Sequence, residues 1–412
     1  MSHFTQQNQE VHNYMTQDVP QSLKSNSSAQ AIKTRNRIFQ LSSTSQSQNS
    51  GGVILFNLPP SNYSISRGTM ALRCRLTVTG TNLTNADAAH SISLQGPGAV
   101  GSGASQGYAL TYGNGYSWIN RLTLYGANSA VIEQQNYCND NMNLMLMHNS
   151  NASYLQGDAQ QLIGVGAPFG YAGNTTSAQI DLVLPLPLSA FNSSTQDFPA
   201  YLLSSPMTLQ IDVASVARAL YNGATATITD YSVSNTYLIY QAVELPSAYV
   251  EAERMAVKSS PFIMNLTSTL SVQVPASILT SYSLGLNASS VRAVFVMPSN
   301  EASYASGTQL QYARDTSDYS STPAFNGSGT NAIVFVDGNQ INSAIFDTPA
   351  MVFQGLKSAL HHNLQGSVIY SSPSLVSASL AANPWLTQFH ALGWDLTSLT
   401  SSGEEQQPVM VC

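Results

Sequence analysis

The chain has 412 residues and a net charge of −7, and only 8% of its residues are charged while 43% are hydrophobic, where an ordinary soluble domain is roughly a quarter charged. It is long enough to bury a sizeable core, and because Ser, Thr, Asn and Gln carry its polarity, its surface repels copies of itself weakly and favours association. The acidic balance argues against a whole-chain nucleic-acid binder, no window approaches the ~20 apolar residues of a membrane span, and MSHFTQQNQE lacks the basic and apolar regions of a signal peptide, so synthesis in a cytoplasm is expected.

Residues 1–50 are polar, with Lys24, Lys33, Arg35 and Arg37 and a Ser/Gln run at 42–50. They read as an N-terminal arm that orders against a partner. From Gly51 onward, short alternating runs are separated by turn residues. VILFNL (53–58) and MALRCRLTV (70–78) are strands, WINRLTLYGANSAVIEQ (118–134) is a hairpin turning at Gly126–Ser129, and NYCNDNMNLMLMHN (136–149) is a short helix. AQIDLVLPL (178–186), MTLQIDV (207–213) and TYLIYQAVEL (236–245) follow as strands. Many β-branched and aromatic runs with few long helical periods predict an all-β sandwich architecture.

AYVEAERMAVKSS (248–260) carries Glu251, Glu253, Arg254 and Lys258, a charged helix-prone stretch in a charge-poor chain, and reads as a connector. The strand pattern then restarts at 269–274, 291–297, 332–338, 343–347, 367–372 and 386–396. The expected organisation is an arm (1–50), a first β domain (51–245), a charged linker (246–261), a second β domain (262–400) and a tail (401–412). Long Gly/Ser/Asn/Thr-rich loops, about 80–115 and 299–330, sit one in each domain.

DLVLPLPLSAF (181–191) poses a local problem. Residues i and i+2 of a strand share a face and an edge. Leu182, Leu184, Leu186 and Leu188 therefore line one face, while Pro185 and Pro187 both lack donors along one edge. Prolines of this kind belong on an edge strand, where they block unwanted strand addition.

Residues 182–213, LVLPLPLSAFNSSTQDFPAYLLSSPMTLQIDV, resemble a stretch of the double jelly-roll major capsid proteins of icosahedral viruses, the lineage of adenovirus hexon, tailless membrane-containing phages and large DNA viruses. There a strand ending in Pro-Leu runs to a phenylalanine-bearing turn, a second proline segment and an alternating strand, matched here by Leu184–Pro185–Leu186, Phe191, Phe198–Pro199 and Leu209–Val213. YLIYQAVELPSAYVEAERMAV (237–257) resembles the family's aromatic strand and Glu/Arg-rich helical link, and GLNASSVRAVFVMPSN (285–300) its strand near the start of the second roll, with Arg292 before the apolar run. The resemblance implies two tandem eight-stranded jelly-roll sandwiches with short helices and long loops. It implies a structural subunit forming pseudo-hexagonal homotrimers that tile an icosahedral virion shell. It further implies neighbouring capsomers, minor capsid and penton proteins as partners, an internal membrane reached through the arm, loops 80–115 and 299–330 facing outward, and the arm and tail inward. No specific nucleic-acid binding is expected.

Searching the residues for chemistry nominates no catalytic, cofactor-binding or metal-ligating residue and no cofactor. GPGAVG (96–101) matches a dinucleotide-binding spelling, but SGASQGYALTYGNG follows where a helix is required. His361–His362 are adjacent and cannot both face one metal on a regular element. Glu404–Glu405 lies in a polar stretch, and the aspartates are dispersed. The twenty tyrosines could stack sugars, although in β-sandwiches they more often fill cores and interfaces, and Trp118, Trp385 and Trp394 read as core. The competing readings are a carbohydrate-binding β-sandwich, a β-sandwich hydrolase, and a minor capsid or spike protein.

Overall fold

The structure is a computed structural model that describes residues 35–81, 83, 108–110, 114–149, 154, 158–164, 176–192, 197–222 and 227–259, and in the second half 270–272, 291–296, 335–336, 339–340, 349–359, 392–396 and 407–411. The strands of the first half are β1 (Arg35–Ser42), β2 (Ser47–Asn49), β3 (Val53–Leu58), β4 (Tyr63–Ile65), β5 (Ala71–Thr81), β6 (Tyr108–Leu110), β7 (Ile119–Tyr125), β8 (Val131–Asn136), β9 (Ser177–Pro185), β10 (Met207–Val213), β11 (Leu220–Asn222) and β12 (Thr227–Glu244). Helices α1 (Cys138–Asn149), α2 (Asp158–Leu162), α3 (Ser189–Asn192), α4 (Val216–Ala219) and α5 (Ser247–Ser259) lie between or after them.

Two antiparallel sheets form a sandwich. One has the order β1-β12-β5-β9, with β2 and β4 also on β12; the other has the order β3-β10-β7-β8. Lettering the eight principal strands B to I in chain order (β1, β3, β5, β7, β8, β9, β10, β12), the sheets read B-I-D-G and C-H-E-F. That is the strand order of a jelly roll, two interlocked Greek keys.

Side-chain alternation builds the core. Ile54, Phe56 and Leu58 of β3, Leu72, Cys74, Leu76 and Val78 of β5, and Met207, Leu209 and Ile211 of β10 are all at most 2% exposed. They meet Leu122 and Leu124 of β7 and Leu182 and Leu184 of β9 in one continuous cluster. Trp118 and Trp394 are buried as expected, while Trp385 lies outside the described residues.

Strand β9 is an edge of its sheet and pairs with β5, with Pro185 opposite Ala71. The Leu186 N–H donates to the Met70 carbonyl at 3.1 Å. Because antiparallel partners alternate, the nitrogens of Pro185 and Pro187 face away from β5, toward the open edge. Leu182, Leu184, Leu186 and Leu188 are all buried on the core face.

Strand β12 runs for 18 residues and changes the parity of its inward residues partway. Its partner register with β5 slips by one residue between Ser234 and Tyr237, and Asn235 takes φ 52° there. This is a β-bulge, with asparagine tolerating the left-handed backbone. Before it Tyr231 and Val233 point inward; after it Thr236, Leu238, Tyr240 and Ala242 do.

Two boundaries differ from the sequence reading. Residues 35–49, assigned to the arm 1–50, form β1 and β2 against β12. Phe39 stacks on Tyr240 with ring centroids 5.6 Å apart and lies 4.8 Å from Tyr63, and the Tyr63 and Tyr240 hydroxyls are 2.8 Å apart, so aromatic packing fixes β1 in the sheet. Gln407–Val411, assigned to the tail 401–412, is a strand.

In the second half, β13 (Leu270–Val272), β14 (Val291–Val296), β17 (Leu392–Asp395) and β18 (Gln407–Val411) form a sheet of order β13-β18-β14-β17. The short pair β15 (Phe335–Val336) and β16 (Asn339–Gln340) stands apart. Strand β18 runs parallel to both neighbours. Helix α6 (Pro349–Ala359), which the sequence reading lacked, packs on β17: a Cβ on Gly393 would stand 3.0 Å from Ala359 Cβ and Leu356 Cα. The expected strands at 343–347 and 367–372 lie outside the described residues.

Candidate assembly surfaces

The register gives the sandwich two unlike ends. Arg35 pairs with Glu244 and Ala71 with Pro185, so the start of β1, the end of β12, the start of β5 and the end of β9 share one end. In the other sheet Leu58, Met207 and Tyr125 mark that same end. The segment before Arg35 and helix α5 therefore both leave from it, along with the connections 59–70, 126–130 and 186–206. Connections 43–52, 82–118, 137–176 and 214–226 leave and return at the opposite end. The described residues on either side of the loop expected at 80–115 stand at that opposite end, while most of that loop and all of loop 299–330 lie outside the described residues.

At the arm end the linker is docked. Tyr249 and Val250 are buried, Tyr249 meets the Tyr201 ring edge-on at 6.4 Å, and Arg254 Nε donates to the Tyr201 carbonyl at 2.7 Å. Met255 on the same helix is 70% exposed. Beside β1, Arg37 pairs with Glu244 at 3.0 Å, an exposed ion pair of small energetic weight.

The connection after β9 is held by a buried carboxylate that sequence reasoning did not single out. Glu133 is inward-facing on edge strand β8 and 1% exposed. One of its oxygens accepts from the Ser189 N–H at 2.9 Å and from Gln135 Nε2 at 3.3 Å; the other accepts from Ser189 Oγ at 3.1 Å and the Ala190 N–H at 3.2 Å. Gln135 Nε2 also donates to the Pro187 carbonyl. Burial pushes the Glu133 carboxyl above its ordinary range, and the four hydrogen bonds oppose that shift. This latch ties the connection after β9 to edge strand β8 of the facing sheet.

The outer face of the β1-β12-β5-β9 sheet is mixed. Arg75 makes a two-pronged bond to Asp181, 2.7 and 2.9 Å, which holds the Asp181 carboxyl below its usual value. Toward the arm end Ile239 is opposite Ala71 and Gln40, and Arg73 lies between Tyr237 and Val183. Ile38 on β1 is 72% exposed.

GPGAVG, His361–His362 and Glu404–Glu405 lie outside the described residues. Among the described residues no group of three or more His, Cys, Asp or Glu is placed to hold a metal, and no helix is long and apolar enough to cross a membrane. Tyr63, Tyr116, Tyr201, Tyr231, Tyr240 and Tyr249 are buried, so these six fill core or interface rather than offering rings to a ligand. Cys74 and Cys138 are free and buried; burial raises both thiols, with Asp181 adding to the first and Asp140 to the second.

No family model and no curated protein matches the chain. Among solved structures it is similar to the PBCV-1 virus capsid, at 12% identity over 55% of this chain and 46% of that one with a TM-score of 0.35. It is also similar to the Faustovirus major capsid protein (11%, 56% and 58%, TM-score 0.34) and the mavirus major capsid protein (14%, 55% and 51%, TM-score 0.29). The matched part spans about half the length of those chains. At such TM-scores the likeness carries no argument, and the functional reading rests on the B-I-D-G and C-H-E-F strand order of residues 35–244 and on the placement of its connections.

Proposed function

We propose that this chain is a structural coat subunit of a virion, a non-enzymatic major capsid protein whose copies form pseudo-hexagonal homotrimers in an icosahedral shell. The observation that carries the reading is a jelly roll with two unlike ends, continued by a docked helix into a second β region. The jelly roll is a fold of viral capsid and lectin domains. In a shell, one end of the roll faces out and the other in. The arm and linker share one end here, while the long connections 82–118 and 137–176 share the other.

On this reading residues 262–400 form the second roll, so that three chains supply six rolls to a hexagonal block. The segment before Arg35 ties neighbouring capsomers together or meets minor capsid proteins, penton proteins or an internal membrane on the inner side. A low-charge surface suits such contacts, since few ions need be stripped of water when they form.

Negative-stain microscopy of the purified protein tests the proposal. Hexagonal-looking particles that tile into sheets or shells support it; separate compact monomers at high concentration contradict it. Deleting residues 1–34 tests the role of the arm: trimers should persist while shells fail, and normal shells from truncated protein would contradict that role.

A further inference from the structure

The outer face of the β1-β12-β5-β9 sheet carries Arg75 and Asp181 nearer the long connections, and toward the arm end a cluster of apolar side chains around Arg73, bordered by Gln40 and Gln241. Antiparallel sheets facing water normally present polar side chains outward. Here the register sets Ile239 beside Ala71 and Arg73 between Tyr237 and Val183, while Ile38, 72% exposed on the edge strand, lies opposite Gln241 and diagonal to Ile239. Ala71, Tyr237, Ile239 and Val183 thus surround Arg73 with apolar side chains on the outer face of the sheet. An occupant of this patch does not extend the sheet at β9, because Pro185 presents no N–H to the open edge there. It lies on the face.

The same chain carries a surface of matching chemistry. The outer stripe of helix α5 places exposed Glu251 one turn from Met255, which is 70% exposed. Arg73 is the exposed cation within the apolar patch. An acid beside an apolar side chain on the helix thus faces a base among apolar side chains on the sheet.

Resting on the coat-subunit reading, we propose that helix α5 of one copy docks by Glu251 and Met255 onto the Arg73–Ile239 patch of a second copy. Patch and helix are different surfaces of one chain, so the contact is head-to-tail and closes a ring when the rotation permits.

Charge exchange in the full-length protein tests this. R73E and E251R alone should each weaken self-association at least about tenfold by setting like charges together, read as a fall in mass by light scattering at matched concentrations. R73E combined with E251R should restore most of it. Thermal melting of each variant keeps folding separate, and I38K supplies a second probe of the patch that leaves Arg73 and its neighbour Asp181 untouched. Wild-type mass in both single variants, or no recovery in the double variant, overturns the docking assignment and leaves the coat-subunit reading standing. A monomeric wild-type protein overturns that reading itself.

Discussion

Glu133 on β8 and Ser189 on α3 are joined twice, once through the serine N–H at 2.9 Å and once through its hydroxyl at 3.1 Å. Glu133 belongs to the β3-β10-β7-β8 sheet and Ser189 to the connection that follows β9 of the other sheet, so this pair ties that connection to the edge of the facing sheet. Glu133→Ala leaves the Ser189 and Ala190 N–H groups buried without acceptors and should cost about 3 kcal/mol, measurable by denaturant unfolding.

The same carboxyl gives a pH dependence of defined sign. Burial raises its folded value above that of the unfolded chain. Its contribution is therefore fully present below the ordinary glutamate range and is lost as pH rises through the folded value. Wild-type stability relative to Glu133→Gln, which does not titrate, should grow as pH falls from neutral toward the ordinary glutamate range. A wild-type advantage that shrinks on acidification would contradict the burial argument.

Leu184 is fully buried between the sheets. Leu184→Ala should destabilise the first roll by about 2–5 kcal/mol, the usual cost of a cavity at such a site. A loss under 1 kcal/mol in urea unfolding would mean that β9 does not line the core.

Pro185 guards an edge rather than the core. Pro185→Val returns an N–H to the open side of β9 while leaving the carbonyl that accepts from Tyr116 Oη at 2.5 Å. The variant should melt near the wild-type temperature yet become turbid sooner on mild heating, as an unguarded edge recruits other strands. Unchanged turbidity would show that the edge is covered by other means.

Cys74 and Cys138 should be silent thiols, since only the thiolate reacts and burial disfavours it. In a Cys412→Ser background, a thiol reagent at pH 8 should label neither residue in the native protein and both after denaturation. Rapid native labelling would place at least one outside the core.

Strands β5 and β10 were legible because apolar and polar residues alternate along them, and β3 and β9 because apolar residues recur at every second position on their inward face. Strand β1 was not, because Arg35, Asn36, Arg37 and Gln40 make an edge strand look like an arm, and only half-buried Phe39 and Leu41 mark its inner face. The first half of β12 was hidden by the bulge at Asn235, which breaks the two-residue period that would have joined Tyr231 to Leu238. Helix α6 is short and carries Gly355, a weak helix former, near its middle, which obscures its helical pattern in the sequence. The Glu133 latch has a faint trace in VIEQQN, where Glu133 and Gln135 share the inward parity. Their partners Pro187, Ser189 and Ala190 lie more than fifty residues away and meet them only in the fold.

The most direct test of the coat-subunit reading is the native mass of the purified full-length chain by light scattering. A trimer of the 44.0 kDa chain, about 130 kDa, stable on dilution, is the predicted result. A mass that stays at one chain up to high concentration would contradict it.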